Sequence, residues 1–477
     1  MPENFVGLSY ETRQLMNPAF FSSRNVGLIR AFKDLAPHGV LRFGGNTSEF
    51  AWWKPIADTP EPAHPQTREV AGEPRAQYYP VTPDAVRDLV EFLEETGWSC
   101  IYGINLGTNT PERAADEATF VAKALGSRLE YFQIGNEVDL FDRHLRDPQT
   151  WSAKAYLKEW LAIARAIVAR VPGARFGVPD VAGDISWLGQ IASQWREIEN
   201  PPLVTMTHHY YFGGPATNPA VNIANLLDPD TMKKVQGTAQ TATAAAAQID
   251  TRVRMTEGNT CYRGGKPGVS DVFAAALWSA DYALLLASNN YAGVNLHGGT
   301  GPSVAISVGG VLPGDELLKS QGATPEQIAS HPHPFYTPIG TFGDEYVLEP
   351  VSYGLKFANA LRGGVFFKTN LSAKLQSSDI NATAYAAKFA DGKTAVIVLN
   401  KDAQHDLTLQ VDFGTETASV VDGAVLHAPA IDSRQAAIDT LPSLPKLNNG
   451  KLLLTVPRAS GLRIEVAPTP PATEPAT

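Results

Sequence analysis

The chain has 477 residues, 44% of them hydrophobic and 18% charged, so it can bury a large core. Its length predicts one large domain and one smaller domain. The formal net charge of -10 argues against nucleic acid or an anionic membrane as a partner. No run of about eighteen apolar residues is present, so no membrane-spanning helix is predicted.

The compartment stays open from the sequence. The opening residues MPENF lack a basic segment followed by an apolar one. We therefore expect a cytoplasmic protein, or a secreted or periplasmic one if a signal peptide was removed and replaced by the initiating Met. Two widely separated cysteines, Cys100 and Cys261, predict neither a zinc site nor a disulfide framework.

Short β-branched or aromatic runs alternate with amphipathic helical patterns along most of the chain, which is typical of βα units around a parallel sheet. Eight such units close a (β/α)8 TIM barrel. The predicted strands cover residues 5–11, 40–45, 100–107, 129–137, 174–180, 203–211, 252–259 and 293–299. The clearest helical face follows the fourth strand and comprises Leu157, Trp160, Leu161, Ala164, Ile167, Val168 and Val171.

After a last helix predicted at about 345–363, the pattern changes to an alternation of period two. Two runs carry it, one from Leu407 to Phe413 and one from Leu462 to Val466, and Asp391-Gly392 is a hairpin signal. We predict an antiparallel β-sandwich there. The proposed division is a catalytic barrel at 1–363, a β-sandwich domain at 364–467 and a disordered Pro-rich tail at 468–477.

Two connections are too long for a minimal barrel, residues 46–81 and residues 300–344. Both leave the C-terminal ends of strands, so we expect both to overhang the catalytic face. For the second, a lid or pocket wall and an oligomer contact remain alternatives, and the oligomeric state is not predicted.

Two carboxylates are expected at strand ends. Glu137 ends the run LEYFQIGNE, and Glu257 lies in RVRMTEGN where the seventh strand gives way to a loop. A single glutamate at a strand end is often a structural ion-pair member. Two glutamates on the fourth and seventh strands, however, would face each other across the barrel. Retaining glycosidases hold two carboxyl groups about 5 to 5.5 Å apart.

This pair predicts a double displacement. Glu257 would attack the anomeric carbon while Glu137 protonates the leaving oxygen, and Glu137 would then activate the water that hydrolyses the glycosyl-enzyme. The amide of Asn136 is predicted to hold the sugar 2-hydroxyl. Neither a cofactor nor a metal is expected in this chemistry.

The motifs QIGNE, RMTEGNTCY, FVGLSYE, LRFGGNTSEF, HHYY, NLHGG and FYTPI together resemble clan A retaining glycoside hydrolases of family 79, which holds β-glucuronidases and heparanase. The resemblance covers nearly the whole chain. It implies that Glu137 is the acid/base and Glu257 the nucleophile. It also implies that sugar hydroxyls are held by Glu11 and Asn46, that the sugar carboxylate lies near Tyr262 and Tyr336, and that Tyr211 lies near the nucleophile.

One departure from that pattern concerns the carboxylate subsite. Heparanase follows the tyrosine with two glycines whose amides bind the uronate, whereas this chain has Tyr262-Arg263-Gly264-Gly265. Arg263 either supplies a guanidinium for the carboxylate or points to solvent. The backbone amide of Gly264 or its neighbour remains a candidate donor, because no side chain blocks its approach. The long insertion before Tyr336 is a second departure.

Other polar residues have a structural interpretation beside a functional one. His208 and His209 should face opposite sides of their strand, and one is expected in the pocket wall rather than on a metal. His297 either touches the substrate or braces a catalytic carboxylate. Glu49 is interpreted as structural, and Cys261 as a poor nucleophile. Trp52 or Trp53 either stacks on a sugar or packs under its loop.

The sequence thus predicts a retaining exo-β-glucuronidase whose partner is a glucuronide or a glucuronate-containing oligosaccharide. Two alternatives from glycosidase chemistry stay open, another clan A β-glycosidase and an endo-acting heparanase-like enzyme. The acidic balance disfavours the endo enzyme on heparan chains. A carbohydrate-binding protein on the same fold is the alternative from a different class, and a pair of catalytic carboxylates argues against it.

Overall fold

The computed structural model describes residues 1–70, 76–196, 201–343, 345–372, 374–375, 378–414 and 418–468. The predicted disordered tail at 468–477 lies outside these ranges except for its first residue. Within them, no helix combines the length and the apolar character that crossing a membrane requires.

Eight parallel strands close a barrel in sequence order, as predicted, each strand pairing with the next and the eighth pairing with the first. All eight predicted strands are present, with ends that differ by a few residues. Their bounds are β1 Val6–Glu11, β2 Val40–Gly44, β3 Ser99–Ile104, β4 Leu129–Ile134, β5 Phe176–Val181, β6 Leu203–Gly213, β7 Arg252–Cys261 and β8 Gly293–His297.

A helix follows each barrel strand and packs on the outside. The eight helices are α1 Val26–Leu35, α2 Pro83–Thr96, α3 Pro111–Leu125, α4 Ala153–Arg170, α5 Ser186–Trp195, α6 Pro229–Ala247, α7 Phe273–Ser288 and α8 Pro350–Ala358. Local sequence sets several of their ends. Thr82, Thr110 and Ser152 each accept a backbone N–H in the first turn of α2, α3 and α4, and Gly97 ends α2 in the left-handed region at φ 78°.

The predicted face of α4 is the buried one: Trp160, Ala164 and Ile167 have no exposed surface. The predicted last helix was wrong at its start. Residues Glu345–Leu348 form a strand paired with Ile339–Phe342, and the helix begins only at Pro350. Proline has no backbone N–H to donate and fits the first turn of a helix, so it marks the boundary that periodicity alone did not reveal.

The chain after the barrel forms the predicted β-sandwich. A six-stranded antiparallel sheet has the order β9 Val365–Phe367, β10 Ala382–Lys388, β11 Thr394–Asn400, β16 Ser460–Pro468, β13 Ala418–His427 and β14 Ala437–Thr440. The strands β12 Leu407–Asp412 and β15 Lys451–Val456 form a second layer. The predicted Asp391-Gly392 turn connects β10 to β11, and a two-stranded ribbon pairs Lys374–Leu375 with Ser378–Asp379.

The two faces of the large sheet bury different surfaces. Val396, Val398 and Leu462 pack against Leu452 and Leu454 of the second layer. The opposite face joins the core of the barrel, and the side chains that do so are Ala387, Ala395, Ile397, Leu399, Ala424 and Leu426. The proposed boundary near residue 363 therefore separates two architectures that share one hydrophobic core.

Both long connections lie over the C-terminal ends of the barrel strands, as predicted. The first contains the 3-10 helix Asn46–Phe50 and a short parallel pair of strands, Ala51–Trp53 and Tyr79–Val81. The second contains three short helices, Gly301–Ser307, Pro313–Ser320 and Pro325–Ala329. They meet where the Asn46 side-chain amide donates to the Ser307 carbonyl over 3.3 Å.

Candidate active site

A cavity of about 520 Å³ opens at the C-terminal ends of the barrel strands. Its position is the one where (β/α)8 barrels carry their reacting groups. The residues that line it are Glu11, Asn46, Glu137, Asp139, Leu140, Arg143, Ala182, Gly183, Asp184, Tyr211, Glu257, Tyr262, Arg263, His297, Ser307, Val308 and Tyr336.

The two predicted carboxylates lie side by side in this cavity. A carboxylate oxygen of Glu137 and one of Glu257 are within 4.8 Å of each other and of a ring nitrogen of His209. Glu137 reaches this place through a left-handed backbone, φ 50° and ψ 46°, that few residues other than glycine adopt. Its backbone N–H donates to the Asp180 carbonyl over 2.8 Å, which pins the turn to the neighbouring strand.

Glu257 is surrounded by donors and cations. Arg42 Nη1 donates to its Oε2 over 2.6 Å, and the Tyr211 hydroxyl donates to its Oε1 over 2.8 Å. His297 Nδ1 lies 3.7 Å from the same Oε2. Burial opposes ionisation, but His297, His209, Arg42 and Tyr211 outweigh it and lower the pKa of Glu257 to about 2. The carboxylate is therefore charged at neutral pH.

Glu137 has the opposite electrostatic environment. Burial raises its pKa above the usual value of 4.5, and the charges of Glu257 and Asp139 raise it further. The ring of His209 opposes this shift through a hydrogen bond of 3.2 Å between Nδ1 and Glu137 Oε1. Two adjacent carboxyl groups with pKa values shifted apart are typical of an acid paired with a base or nucleophile.

Arg42 connects the parts of the site from below. Its side chain has no exposed surface. Besides Glu257, it donates to Ser9 Oγ over 2.9 Å, to Asn136 Oδ1 over 2.7 Å and to Asp180 Oδ2 over 2.5 Å. Three strands and the turn after a fourth thus converge on one guanidinium, which fixes the position of Glu257 relative to the turn that carries Glu137.

Asn136 lies beneath the cavity rather than in its wall. Its Oδ1 accepts from Arg42 and from the Gly45 backbone, and its Nδ2 donates to Asn46 Oδ1 over 3.4 Å. The predicted contact with a sugar 2-hydroxyl therefore stays a prediction. Glu49 supports the same turn: it accepts the backbone N–H groups of Asn136 and Leu106 over 2.8 and 3.0 Å, in line with its structural interpretation.

The structure brings most predicted sugar contacts together. Glu11, Asn46, Tyr211, Tyr262, His297 and Tyr336 all line the cavity, whereas Gly264 is buried against Leu312 outside it. The Nε2 of His297 lies 3.4 Å from Glu11 Oε1, and its Nδ1 lies 3.0 Å from Ser9 Oγ and 3.7 Å from Glu257 Oε2. Contact with the substrate and support of a catalytic carboxylate both stay predictions.

Arg263 also lines the cavity and has φ 59° in the left-handed region. Its guanidinium carbon lies 5.9 Å from the centre of the Tyr262 ring. Among the described residues, no carboxylate oxygen lies within salt-bridge distance of Arg263. The site therefore presents a cation next to the tyrosines that are predicted to face the sugar carboxylate.

Sequence reasoning missed Arg42, Asp180 and the 182–184 wall of the cavity. The arginine in the middle of the apolar run VLRFGG could have indicated this charged network, because a buried arginine requires carboxylate partners. The 182–184 segment is fixed by Asp139, which accepts the backbone N–H groups of Ala182, Gly183 and Asp184 over 2.7, 3.1 and 3.0 Å. No pattern in the sequence links those positions.

The two adjacent histidines and the two adjacent tryptophans differ in their relation to the cavity. His208 and His209 do face apart, since His208 Nε2 is 2.9 Å from the Tyr291 hydroxyl and His209 faces the site. Trp52 and Trp53 are buried at 7% and 6% exposure and do not line the cavity.

Glu137, His209 and Glu257 are the one group of side chains, within the described ranges, whose geometry would suit a metal ion. Each of them already has a protein partner: Arg42 pairs with Glu257, and His209 bonds both Glu137 and Asp180. The expectation that the reaction uses no metal stays a prediction.

No protein-family model matches the chain. A relative named β-glucuronidase from Aspergillus niger is 28% identical over 317 residues, which cover 60% of this chain and 55% of the relative. A second β-glucuronidase, from Neurospora crassa, is 28% identical over 294 residues, 54% of this chain and 50% of the relative. The chain therefore spans only about half the length of each of these relatives.

Solved structures resemble the chain over most of its length. A 4-O-α-L-rhamnosyl-β-D-glucuronidase from Fusarium oxysporum, in complex with Rha-GlcA, superposes with a TM-score of 0.69 at 16% identity, covering 97% of this chain and 96% of that one. A GH51 arabinofuranosidase from Xanthomonas axonopodis pv. citri gives 0.64 at 16% identity, covering 92% and 89%. The chain has a glycoside hydrolase fold. The comparisons support the predicted relationship to glycoside hydrolases, whereas membership of family 79 stays a prediction.

Proposed function

We propose that the chain is a retaining exo-β-glucuronidase that uses no cofactor. The observation that carries this proposal is the pair of Glu137 and Glu257, whose carboxylate oxygens lie within 4.8 Å and whose pKa values are shifted in opposite directions. This separation suits direct attack by one carboxylate, because inverting enzymes hold the pair about 6.5 to 9.5 Å apart to admit a water molecule.

In the first step, the ionised Glu257 attacks the anomeric carbon and forms an ester bond to it. The bond between that carbon and the glycosidic oxygen breaks, and the oxygen takes the proton of Glu137. The low pKa of Glu257 keeps it ionised for attack, and the raised pKa of Glu137 favours the protonated acid.

In the second step, Glu137 acts as a base. It takes a proton from a water molecule whose oxygen attacks the anomeric carbon, and the ester bond to Glu257 breaks. Ester formation has removed the negative charge of Glu257, which is one cause of the raised pKa of Glu137. The pKa of Glu137 therefore falls when a base is needed and rises again when Glu257 is released.

Recognition of a glucuronide requires donors for the sugar carboxylate, because an unpaired charge in a pocket loses several kcal/mol of hydration. The cavity wall carries five carboxylates, on Glu11, Glu137, Asp139, Asp184 and Glu257, so a second anion needs a local cation. We assign that role to Arg263, together with the phenols of Tyr262 and Tyr336. The names of the two relatives support this choice of sugar.

The charges of the cavity wall also favour an exo-acting enzyme over one that cleaves within sulfated or polyuronate chains. Against the five carboxylates, the arginines in the described part of the wall are Arg143 and Arg263. A polyanionic chain that crossed this cavity would meet more acidic than basic side chains in its wall.

The test is a panel of aryl β-glycosides of glucuronate, glucose, xylose and galactose. We expect turnover of the glucuronide to exceed that of the other three, and NMR to show that the first product is the β anomer. A first-formed α anomer would exclude the two-step reaction. Preference for a neutral sugar would leave the mechanism intact and overturn the assignment to glucuronides.

A further inference from the structure

His209 lies behind the acid/base rather than in the cavity wall. Its side chain has no exposed surface, and its two ring nitrogens face two carboxylates. Nδ1 lies 3.2 Å from Glu137 Oε1, and Nε2 lies 3.2 Å from Asp180 Oδ2. The ring therefore bridges the acid/base and a carboxylate that the proposed reaction does not otherwise use.

Asp180 is held in place by two hydrogen bonds besides its contact with His209, in a left-handed backbone conformation. Arg42 Nη2 donates to its Oδ2 over 2.5 Å, Thr256 donates its hydroxyl to Oδ1, and its own φ of 70° is in the left-handed region. Like His209, it has no exposed surface. A residue other than glycine persists in this conformation only where its surroundings fix it, and such residues cluster at functional sites.

The protonation state of His209 follows from the groups around it. Burial lowers its pKa, but the charges of Asp180 and Glu257 and the hydrogen bonds to Asp180 and Glu137 raise it to about 10. The remaining neighbours are cationic or neutral: Arg42 Nη2 lies 3.4 Å from Nε2, and burial lowers the pKa of His208 to about 4. At neutral pH both ring nitrogens of His209 carry protons, so both can only donate.

This geometry constrains the acid/base. We propose that Asp180 and His209 form a positioning pair that makes Glu137 Oε1 an acceptor and so places the acid proton on Oε2. The inference rests on the proposed function, because it assigns Glu137 the acid/base role. A neutral ring that kept its Nε2 proton for Asp180 would instead offer Nδ1 as an acceptor. Nδ1 would then bind the Glu137 proton and turn it away from the leaving group.

The pair also acts in the second half of the reaction. Once Glu137 has lost its proton, the cationic ring stabilises its carboxylate across the same 3.2 Å contact. The other charges that face Glu137, those of Glu257 and Asp139, act in the opposite direction. His209 thus limits how far the pKa of Glu137 is raised, which lets one residue serve as acid and then as base.

The test uses His209→Gln and Asp180→Asn, with His208→Gln as the matched control because that ring faces away from the site. Removing the cation near Glu137 should move the alkaline limb of kcat/KM upward by about 1 to 3 pH units, as expected for the loss of an opposite charge at this distance. Turnover of a glucuronide with a poor leaving group should fall more than that of an activated aryl glucuronide. The control should leave the limb in place.

A readout without turnover separates the two proposals. In protein labelled with ¹⁵N-histidine, both ring nitrogens of His209 should be protonated at pH 8, and Asp180→Asn should leave one of them unprotonated. If a ring nitrogen of the wild type is unprotonated at pH 8, the positioning pair is wrong. The positioning pair is also wrong if the folded His209→Gln variant loses turnover by the same factor on both glucuronides and its alkaline limb of kcat/KM does not move. A wild type that hydrolyses no β-glycoside would overturn the proposed function instead.

Discussion

Replacing Arg42 with Met should destabilise the protein strongly. The guanidinium is buried completely and pairs with Asp180 over 2.5 Å and with Glu257 over 2.6 Å. Methionine retains much of the volume but leaves both carboxylates without their nearest cation. Removing one partner of a buried ion pair costs about 3 to 5 kcal/mol. Because His209 still faces Asp180 and His297 still faces Glu257, we expect a loss in the free energy of unfolding at the lower end of this range, about 3 kcal/mol.

The assay is urea denaturation at pH 7, with Arg87→Met as the control. Arg87 pairs with Asp84 over 2.5 Å, but these side chains are 61% and 84% exposed, so its loss should cost less than about 1 kcal/mol. The double variant Arg42→Met/Asp180→Asn also removes one of the two carboxylates left without Arg42. Its free energy of unfolding should therefore exceed that of Arg42→Met by about 1 kcal/mol. Equal losses for Arg42→Met and Arg87→Met, or a double variant less stable than Arg42→Met, would contradict a stabilising role of the buried Arg42 ion pairs.

Three further outcomes follow from the site. Glu137→Ala should slow substrates with poor leaving groups far more than activated aryl ones, and azide should restore turnover of the latter; equal losses would count against the acid/base role. Tyr262→Phe should cost glucuronide hydrolysis about 1.5 kcal/mol in kcat/KM, the lower value for a hydrogen bond to a charged group because this tyrosine is 40% exposed, with glucoside hydrolysis nearly unchanged. In a pH profile of kcat/KM, activity should be lost as pH falls toward the Glu257 pKa of about 2 and as pH rises through the Glu137 pKa above 4.5; an acidic limb that Glu257 sets above pH 4.5 would contradict the lowered pKa.

The barrel was predictable because its determinants are local. Each buried strand is a run such as CIYGI or LEYFQI, and each helix has an apolar face, so periodicity identified eight βα units. The start of α8 was missed because Glu345–Leu348 pairs with a strand that periodicity did not reveal. Only Pro350 marked the helix boundary, through its missing N–H.

The site was predictable only in part. Glu137 lies in the turn after the fourth barrel strand and Glu257 lies within the seventh, and the positions of these strands in a barrel bring the two together, so strand order alone placed the pair. Arg42 and Asp180 depend on pairing across the barrel interior between strands far apart in the chain. The local sequences VLRFGG and ARFGVPD do not predict that the Arg42 guanidinium pairs with the Asp180 carboxylate. The charged network beneath the pair therefore required the structure.

In the proposed reaction, Glu257 forms a covalent glycosyl ester. The most direct measurement is to treat the protein with a mechanism-based glucuronide inhibitor that forms such an ester, digest it, and map the modified peptide by mass spectrometry. We expect one label, on Glu257, and no label in the Glu257→Gln variant. A label on Glu137, Glu11 or Asp180 would contradict it, as would labelling that persists when Glu257 is replaced.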